Sequence, residues 1–208
     1  MKDKMKSLWI LVLGSVVVLL GGCSYNAIQS TDEAVDAAWS EVLNQYQRRA
    51  DLVPNLAAAV KGYASHEERV LLEVTDARAR VGGIQITPEM AKEPAALAAF
   101  DRRQGELSGA LSRLMMVSER YPDLKADKVF RDLQVQLEGN ENRIAVARGR
   151  YIRTVQAYNV QIRKFPGVLI AKAFDYQPRP NFSVANEAAI SKAPVIDFTS
   201  NASSVAGQ

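Results

Sequence analysis

From Val35 the apolar residues recur at alternating steps of four and three: Val35, Trp39, Val42, Tyr46, then Arg49, then Val53, Leu56, Val60 and Tyr63. A period of 3.5 puts them on one stripe of a helix. Val70, Val74, Ala77 and Val81 carry an apolar face onward, and Gly82-Gly83 stops it. Upstream, Ser30-Thr31-Asp32-Glu33 has the form of a capping box and predicts the start of this helix. A second stripe runs through Leu97, Phe100, Gln104, Leu107, Leu111, Leu114, Ser118 and Tyr121, and Pro94 is placed to open its helix. A third runs through Phe130, Leu133, Leu137, Asn140, Ile144, Ala147, Tyr151, Thr154, Tyr158, Ile162 and Phe165. About forty residues of helix would be about 60 Å long.

The breaks are as legible as the stripes. Thr87-Pro88-Glu89 reads as a short helix start within the connection from Ile84 to Glu93. Tyr121-Pro122-Asp123 separates the second and third helices, with Asp123 as the expected cap of the third. Phe165-Pro166-Gly167 ends the third, and Val168 to Phe174 reads as one short turn or helix. Pro54 falls inside the first stripe. A proline there loses the hydrogen bond to Ala50 and crowds its carbonyl, so the helix either kinks or breaks at Asp51–Pro54. The stripe passes Pro54 without a phase slip, which favours the kink. No strand-like run and no linker stand out. The expected fold is all-α: an elongated antiparallel up-and-down bundle of three to four long helices, the fourth arising if the chain breaks at Asp51–Pro54. Beyond Asp175 the pattern dissolves into an irregular C-terminal tail, partly disordered, whose Tyr176, Phe182, Val195, Ile196 and Phe198 are spaced to lie along the bundle.

The first residues follow another logic. Lys2, Lys4 and Lys6 precede the uncharged stretch Leu8 to Leu20, and Gly21-Gly22-Cys23 follows. Thirteen helical residues reach about 20 Å, short of a hydrocarbon core of about 30 Å, which suits a signal peptide. Leu20-Gly21-Gly22-Cys23 resembles the lipobox of bacterial lipoproteins. That resemblance implies cleavage before Cys23, a thioether-linked diacylglycerol on its sulfur and acylation of the new amino terminus. Several acyl chains anchor stably where one would be marginal. The competing expectation is an uncleaved anchor, since no charge occurs from Ser7 to Thr31. The expected organisation is therefore a signal peptide over 1–22, a helical domain over 23–174 and a tail over 175–208.

Composition sharpens this. The chain has 208 residues, a formal charge of +3, one Cys and one His. No intramolecular disulfide and no all-Cys/His zinc site can be built within it. Removing Met1 to Gly22 takes away three lysines and one aspartate, so the remainder carries +1. A nucleic-acid surface needs clustered surplus positive charge, and none is left to motivate one.

Candidate chemistry is sparse. His66 sits in Ser65-His66-Glu67-Glu68, but Val70 stands where a second zinc-binding His would be needed, and Tyr63 where a di-iron Glu-x-x-His pair needs a carboxylate. The many carboxylates show no paired spacing. No metal ligand, cofactor or catalytic residue is expected. Arg49, Gln104, Asn140 and Thr154 are polar positions on apolar stripes. The expected role of Gln104 and Asn140 is to fix bundle register, with a polar pocket as the functional alternative. Gly105 and Gly109 share one helix face and predict a close helix approach.

Beyond these patterns, Ala38-Trp39-Ser40, the run Gln47 to Leu56 (QRRADLVPNL), Val60 to Glu67 (VKGYASHE), Glu141 to Arg148 (ENRIAVAR), Tyr158-Asn159-Val160, Phe165-Pro166-Gly167 and Pro178-Arg179-Pro180 resemble the LemA family from Tyr25 to about Phe182. The resemblance implies a membrane-attached bacterial helical bundle with no assigned activity or cofactor. Members often occur beside TPM-domain membrane proteins or membrane metalloproteases, which implies an accessory or scaffolding role. Many carry an N-terminal transmembrane helix; the lipobox-like residues depart from that form and imply an extracytoplasmic domain hung on lipid, in the outer membrane if the cell has one. The expected function is a non-enzymatic envelope interaction module, with Gln47, Arg48, Arg49, Asp51, Pro54 and Asn55 and the apolar tail as its candidate surface. The alternative is a small-molecule or peptide binder using the polar bundle interior.

Overall fold

The first helix, α1 (Lys2–Tyr63), is 62 residues long, about 93 Å of continuous helix. A computed structural model describes residues 2–64, 66–83 and 87–182, with side chains from Gly21 onward apart from Met90. Two expectations change along α1. The capping box at Ser30 to Glu33 starts nothing, because the helix already passes through it. Thr31 Oγ bonds back to the Ala27 and Ile28 carbonyls instead, at 3.0 and 2.9 Å. Nor does the chain break at Asp51–Pro54. Pro54 lies on the exposed side of an unbroken helix. The Ala50 carbonyl that it cannot serve accepts a hydrogen bond from Arg78 Nε of the next helix, at 3.0 Å. A tertiary donor thus replaces the missing backbone donor, which removes the main cost of an interior proline.

The break comes later, at Ala64 to Glu67, where Gly62, Ser65 and His66 weaken the helix although the apolar spacing continues. Here α2 (Glu68–Gly82) turns back along α1. After Gly83, a 3₁₀ turn over Met90–Lys92 follows, in which Lys92 N–H donates to the Glu89 carbonyl at 3.0 Å. Helix α3 (Pro94–Ser118) opens on its proline, as expected. A five-residue helix α4 (Pro122–Ala126) follows. Asp123 lies in its first turn, and the cap of the long helix α5 (Lys128–Arg163) is Asp127, whose Oδ1 accepts from Phe130 N at 2.8 Å. A cis Phe165–Pro166 bond leads into α6 (Gly167–Ala173). Gly167 admits no side chain: a Cβ would lie 2.3 Å from the Gln161 carbonyl oxygen, so α6 packs directly on the end of α5.

The four longer helices after residue 21 run up, down, up and down, as the antiparallel pattern predicts. The α1–α5 pair fixes the register from end to end, with Tyr63 OH on Asp127 at one end, the Gln45 carbonyl facing Asn140 in the middle, and Ile28 and Ile162 buried in one cluster at the other. The core has two parts. One is aromatic, built on Trp39, Tyr46, Phe100, Tyr151 and Tyr158. The other is aliphatic, built on Val53, Leu56, Val60, Leu107, Leu114 and Leu137. Gly105 and Gly109 do not bring helices together as expected: a Cβ at Gly105 meets open space, and one at Gly109 meets only Arg113 of its own helix. The apolar stretch Leu8 to Leu20 belongs to the α1 backbone, and its side chains lie outside the described residues, as do Val195, Ile196 and Phe198. Among the described residues no helix is long and apolar enough to cross a membrane.

Candidate functional site

Three of the four polar stripe residues meet where the two cores join. Arg49 is 1% exposed, Gln104 3% and Asn140 0%. The Arg49 guanidinium spreads across three helices. Nη1 donates to Ser108 Oγ at 2.7 Å and to Glu141 Oε1 at 3.1 Å, and Nη2 to the Gln104 carbonyl at 3.0 Å and to its side-chain oxygen. The Tyr46 ring covers it, 5.0 Å from centroid to guanidinium carbon. Asn140 Nδ2 donates to the Gln45 carbonyl at 3.1 Å. The planar fork of arginine suits this arrangement, since several fixed donors serve acceptors on different helices at once. Satisfaction is incomplete: Arg49 Nε, Asn140 Oδ1 and Gln45 Oε1 are buried without a protein partner. Thr154 has no part in this layer, because its hydroxyl bonds back to the Tyr151 carbonyl at 2.9 Å.

One turn along, Arg148 Nη1 donates to Tyr46 OH at 2.9 Å and to Asp101. Arg49, Arg148, Asp101, Gln104 and Glu141 line one open groove of about 570 Å³. A second groove, of about 560 Å³, lies on the other side of the layer against Gln47, Arg78 and Phe100. Both are shallow and mixed in polarity, suited to a polar ligand or an extended peptide rather than to a buried reaction.

The expected interaction face divides. Gln47, Arg48, Asp51, Pro54 and Asn55 are exposed along α1, with Gln47 Nε2 donating to Asp51 Oδ1 at 2.7 Å. Arg49 points the other way, into the bundle, and is not part of that face. Cys23 is exposed on α1. His66 is exposed in the α1–α2 turn. Among the described residues no group of three or more His, Cys, Asp or Glu is placed to hold a metal ion.

The largest contribution missed by residue patterning is Arg179. It is 6% exposed although it lies in an extended segment. Its Nε and Nη2 donate to Asp32 Oδ1 at 3.0 and 2.6 Å, and its Nη1 lies 3.2 Å from Asp36. Its backbone is clasped too: Arg179 N donates to Asn159 Oδ1, and Asn159 Nδ2 donates to the Arg179 carbonyl, both at 2.9 Å. Tyr158 OH donates to the Gln177 carbonyl at 3.2 Å. Phe182 then stacks on Trp39 and Tyr151, at 6.0 and 5.4 Å, with the Arg148 guanidinium 4.0 Å from its centroid. The advance signals for this strap were the Pro178-Arg179-Pro180 motif and the spaced Tyr176 and Phe182, both of which pack on the aromatic core; neither pointed to the burial of Arg179.

Burial pushes Tyr151 up to about 12, opposed by the charge of Arg179, and pushes Tyr158 up to about 12 with help from the Asp32 carboxylate. Unfolded phenols ionise near pH ~10. Between these values the unfolded chain binds fewer protons than the folded one, so stability falls as pH rises through this window. Phenolate absorbance in an alkaline titration should show these two tyrosines lagging the exposed ones until the chain unfolds. Full ionisation near pH ~10 with helicity intact would contradict the assignment.

Comparison with known proteins places these features in context. The LemA family model matches residues 38–198. Magnetosome protein MamQ 2 of Paramagnetospirillum magneticum is 26% identical over 162 residues, covering 68% of this chain and 58% of the relative. MamQ of Magnetospirillum gryphiswaldense is 26% identical over 161 residues, with the same coverage. Protein LemA of Metamycoplasma hominis is 24% identical over 150 residues, covering 72% and 61%. The match spans about three-fifths of the length of these relatives.

Proposed function

This chain belongs to the LemA family, and on that premise we propose that it is a membrane-attached module of the bacterial cell envelope that works by contact rather than by catalysis. The observation that carries this reading is α1 itself. One unbroken helix carries the exposed Cys23 near the membrane end and runs on into the bundle, presenting Gln47, Arg48, Asp51, Pro54 and Asn55 on its outer side. The polar layer beneath, fixed by Arg49, holds that segment in register against α3 and α5. Most polar groups of this layer are engaged in holding helices together. The resemblances to LemA and MamQ proteins support an envelope setting, and the link to magnetosomes stays with the MamQ relatives.

Within this reading Cys23 is the lipid attachment site, the domain is extracytoplasmic, and the outer membrane is its place in a cell that has one. The partner is a membrane or envelope protein, with TPM-domain proteins and membrane proteases as the first candidates. The test is photocrosslinking in cells from Asn55 and from Arg48, with Leu72 as an exposed control on another face. One dominant adduct from the α1 positions is expected. A smear shared with the control, or no adduct, would count against the module. Mass spectrometry of the same material reads the anchor, and an intact Met1 would replace the lipidated form with an uncleaved helix.

The second reading, a binder of small polar molecules or peptides, draws on the groove that reaches Arg49 and Arg148. Stabilisation of the purified chain by an envelope metabolite in a thermal-shift screen, abolished by Arg148→Ala, would favour it over the first.

A further inference from the structure

The bundle has an apolar end that no described residue covers. Phe165 is 77% exposed, Leu169 58% and Phe174 60%. They belong to α6 and its two flanks, where Ala171 and Gly167 are buried and Ile170 turns inward. A helix showing large apolar side chains outward needs another medium to bury them. Its place indicates which. Ile170 Cδ1 lies 3.9 Å from where a Cβ on Gly21 would stand, and the Tyr25 and Phe174 rings are 5.2 Å apart, with Tyr176 6.4 Å beyond. Along α1, Tyr25 is only five residues past Leu20, the last residue of the apolar stretch, or about 7.5 Å of rise. The patch therefore sits where that stretch leaves the bundle, at headgroup depth for a chain held by its apolar end.

The composition fits an interface. Tyrosine and other aromatic rings concentrate at the boundary between hydrocarbon and water. Arg163, Lys164 and Lys172 are exposed along the segment that carries the patch, and Asp175 is the one acid within residues 163–175. Cationic rims of this kind add attraction to anionic lipid. Gly167 seats α6 against α5 without a side chain between them, so the patch is presented on a fixed surface.

We infer that α6, through Phe165, Leu169 and Phe174, docks onto the surface of an anionic bilayer beside the anchor and sets the orientation of the bundle relative to the membrane. This rests on the membrane attachment proposed above. It goes further by assigning a second, non-covalent lipid contact and a defined tilt. The basic rim faces the headgroups, the Gln47–Asn55 face is carried away from the lipid, and α1 cannot swivel freely on its tether.

The test uses the full chain carrying Cys23→Ser, so that its apolar segment stays attached, with a single environment-sensitive NBD label at Leu169→Cys. Leu72→Cys, beside Lys61 at the far end of the bundle, is the control. The protein is reconstituted into vesicles of phosphatidylcholine with phosphatidylglycerol, and flotation is read separately from fluorescence. The expected result is a blue-shifted emission at position 169, quenched by doxyl-labelled lipid, with the label at 72 unchanged. The shift should diminish without phosphatidylglycerol and in the Lys164→Glu/Lys172→Glu chain, while flotation persists. A chain that floats while its label at 169 stays in water overturns the docking and leaves the attachment standing. A chain that does not float shows that α6 and the apolar segment together hold no membrane, which overturns the docking and leaves the lipid on Cys23 to be read by mass spectrometry.

Discussion

Replacing Arg49 with alanine is expected to lower the stability of the bundle by about 3 kcal/mol. The guanidinium is the shared donor for Ser108, for both oxygens of Gln104 and for Glu141. Its removal leaves buried acceptors without a partner and opens space between the two cores. Glu141 contributes least of these, because its side chain is 45% exposed and water can take over. Its share is discounted accordingly. Glu141→Gln should therefore cost under about 1 kcal/mol. Arg49→Lys should fall between, since one ammonium cannot span the acceptors that the fork reaches. Chemical unfolding of the full chain in mild detergent reads all three as midpoint shifts at constant slope. The combined Arg49→Met and Gln104→Leu chain should recover most of the loss if the layer serves packing and register. Equal losses from Glu141→Gln and Arg49→Ala would show the ion pair, rather than the acceptors on α3, to be the dominant contact.

Arg179→Ala is expected to release the strap. The side chain binds two carboxylates on α1 while its backbone is held by Asn159 on α5, so it ties the extended segment to both long helices. Asp32 and Asp36 are 23% and 30% exposed, so water relieves part of the penalty of losing their partner. The remaining cost is about 2 kcal/mol, mostly local. Hydrogen exchange at the amide of residue 179 should quicken by about thirtyfold. Trp39 emission should shift to the red as Phe182 leaves its ring, measured against a Trp9→Phe background. Asp32→Asn should do less, because Asp36 remains. An unchanged exchange rate in Arg179→Ala would assign the strap to its aromatic contacts alone.

Sequence and structure agree in an instructive way at Arg49, Gln104 and Asn140. Each was visible as a polar interruption of an apolar stripe, and the spacing alone put each on the inner side of its helix. Their meeting in one layer depends on how far each helix slides against its neighbours, which a periodic pattern leaves open. Arg49 adjoins Gln47, Arg48 and Asp51 along the chain but lies on the opposite side of α1, because its place on the 3.5-residue stripe turns it inward. Asp123 was the expected cap of the long third helix; the five-residue α4 takes it into its own first turn, and Asp127 caps α5 instead.

What the sequence determined by itself is the all-α class and several helix ends: the opening at Pro94, the stops at Gly82-Gly83 and Phe165-Pro166, and the apolar segment near the start of the chain. These depend on local propensities and on the 3.5-residue repeat, which act within a few turns. The break between α1 and α2 and the separate α4 were not among them. Tertiary structure decided the rest. It carried α1 through Pro54, because Arg78 reaches across to the carbonyl that the proline leaves unserved. It buried Arg179 in a segment with no periodic pattern, because Asp32 and Asp36 sit one turn apart on a helix more than a hundred residues earlier. It also gathered an apolar end around α6. In each case the deciding partner is distant along the chain and near only in space, where local rules carry no information.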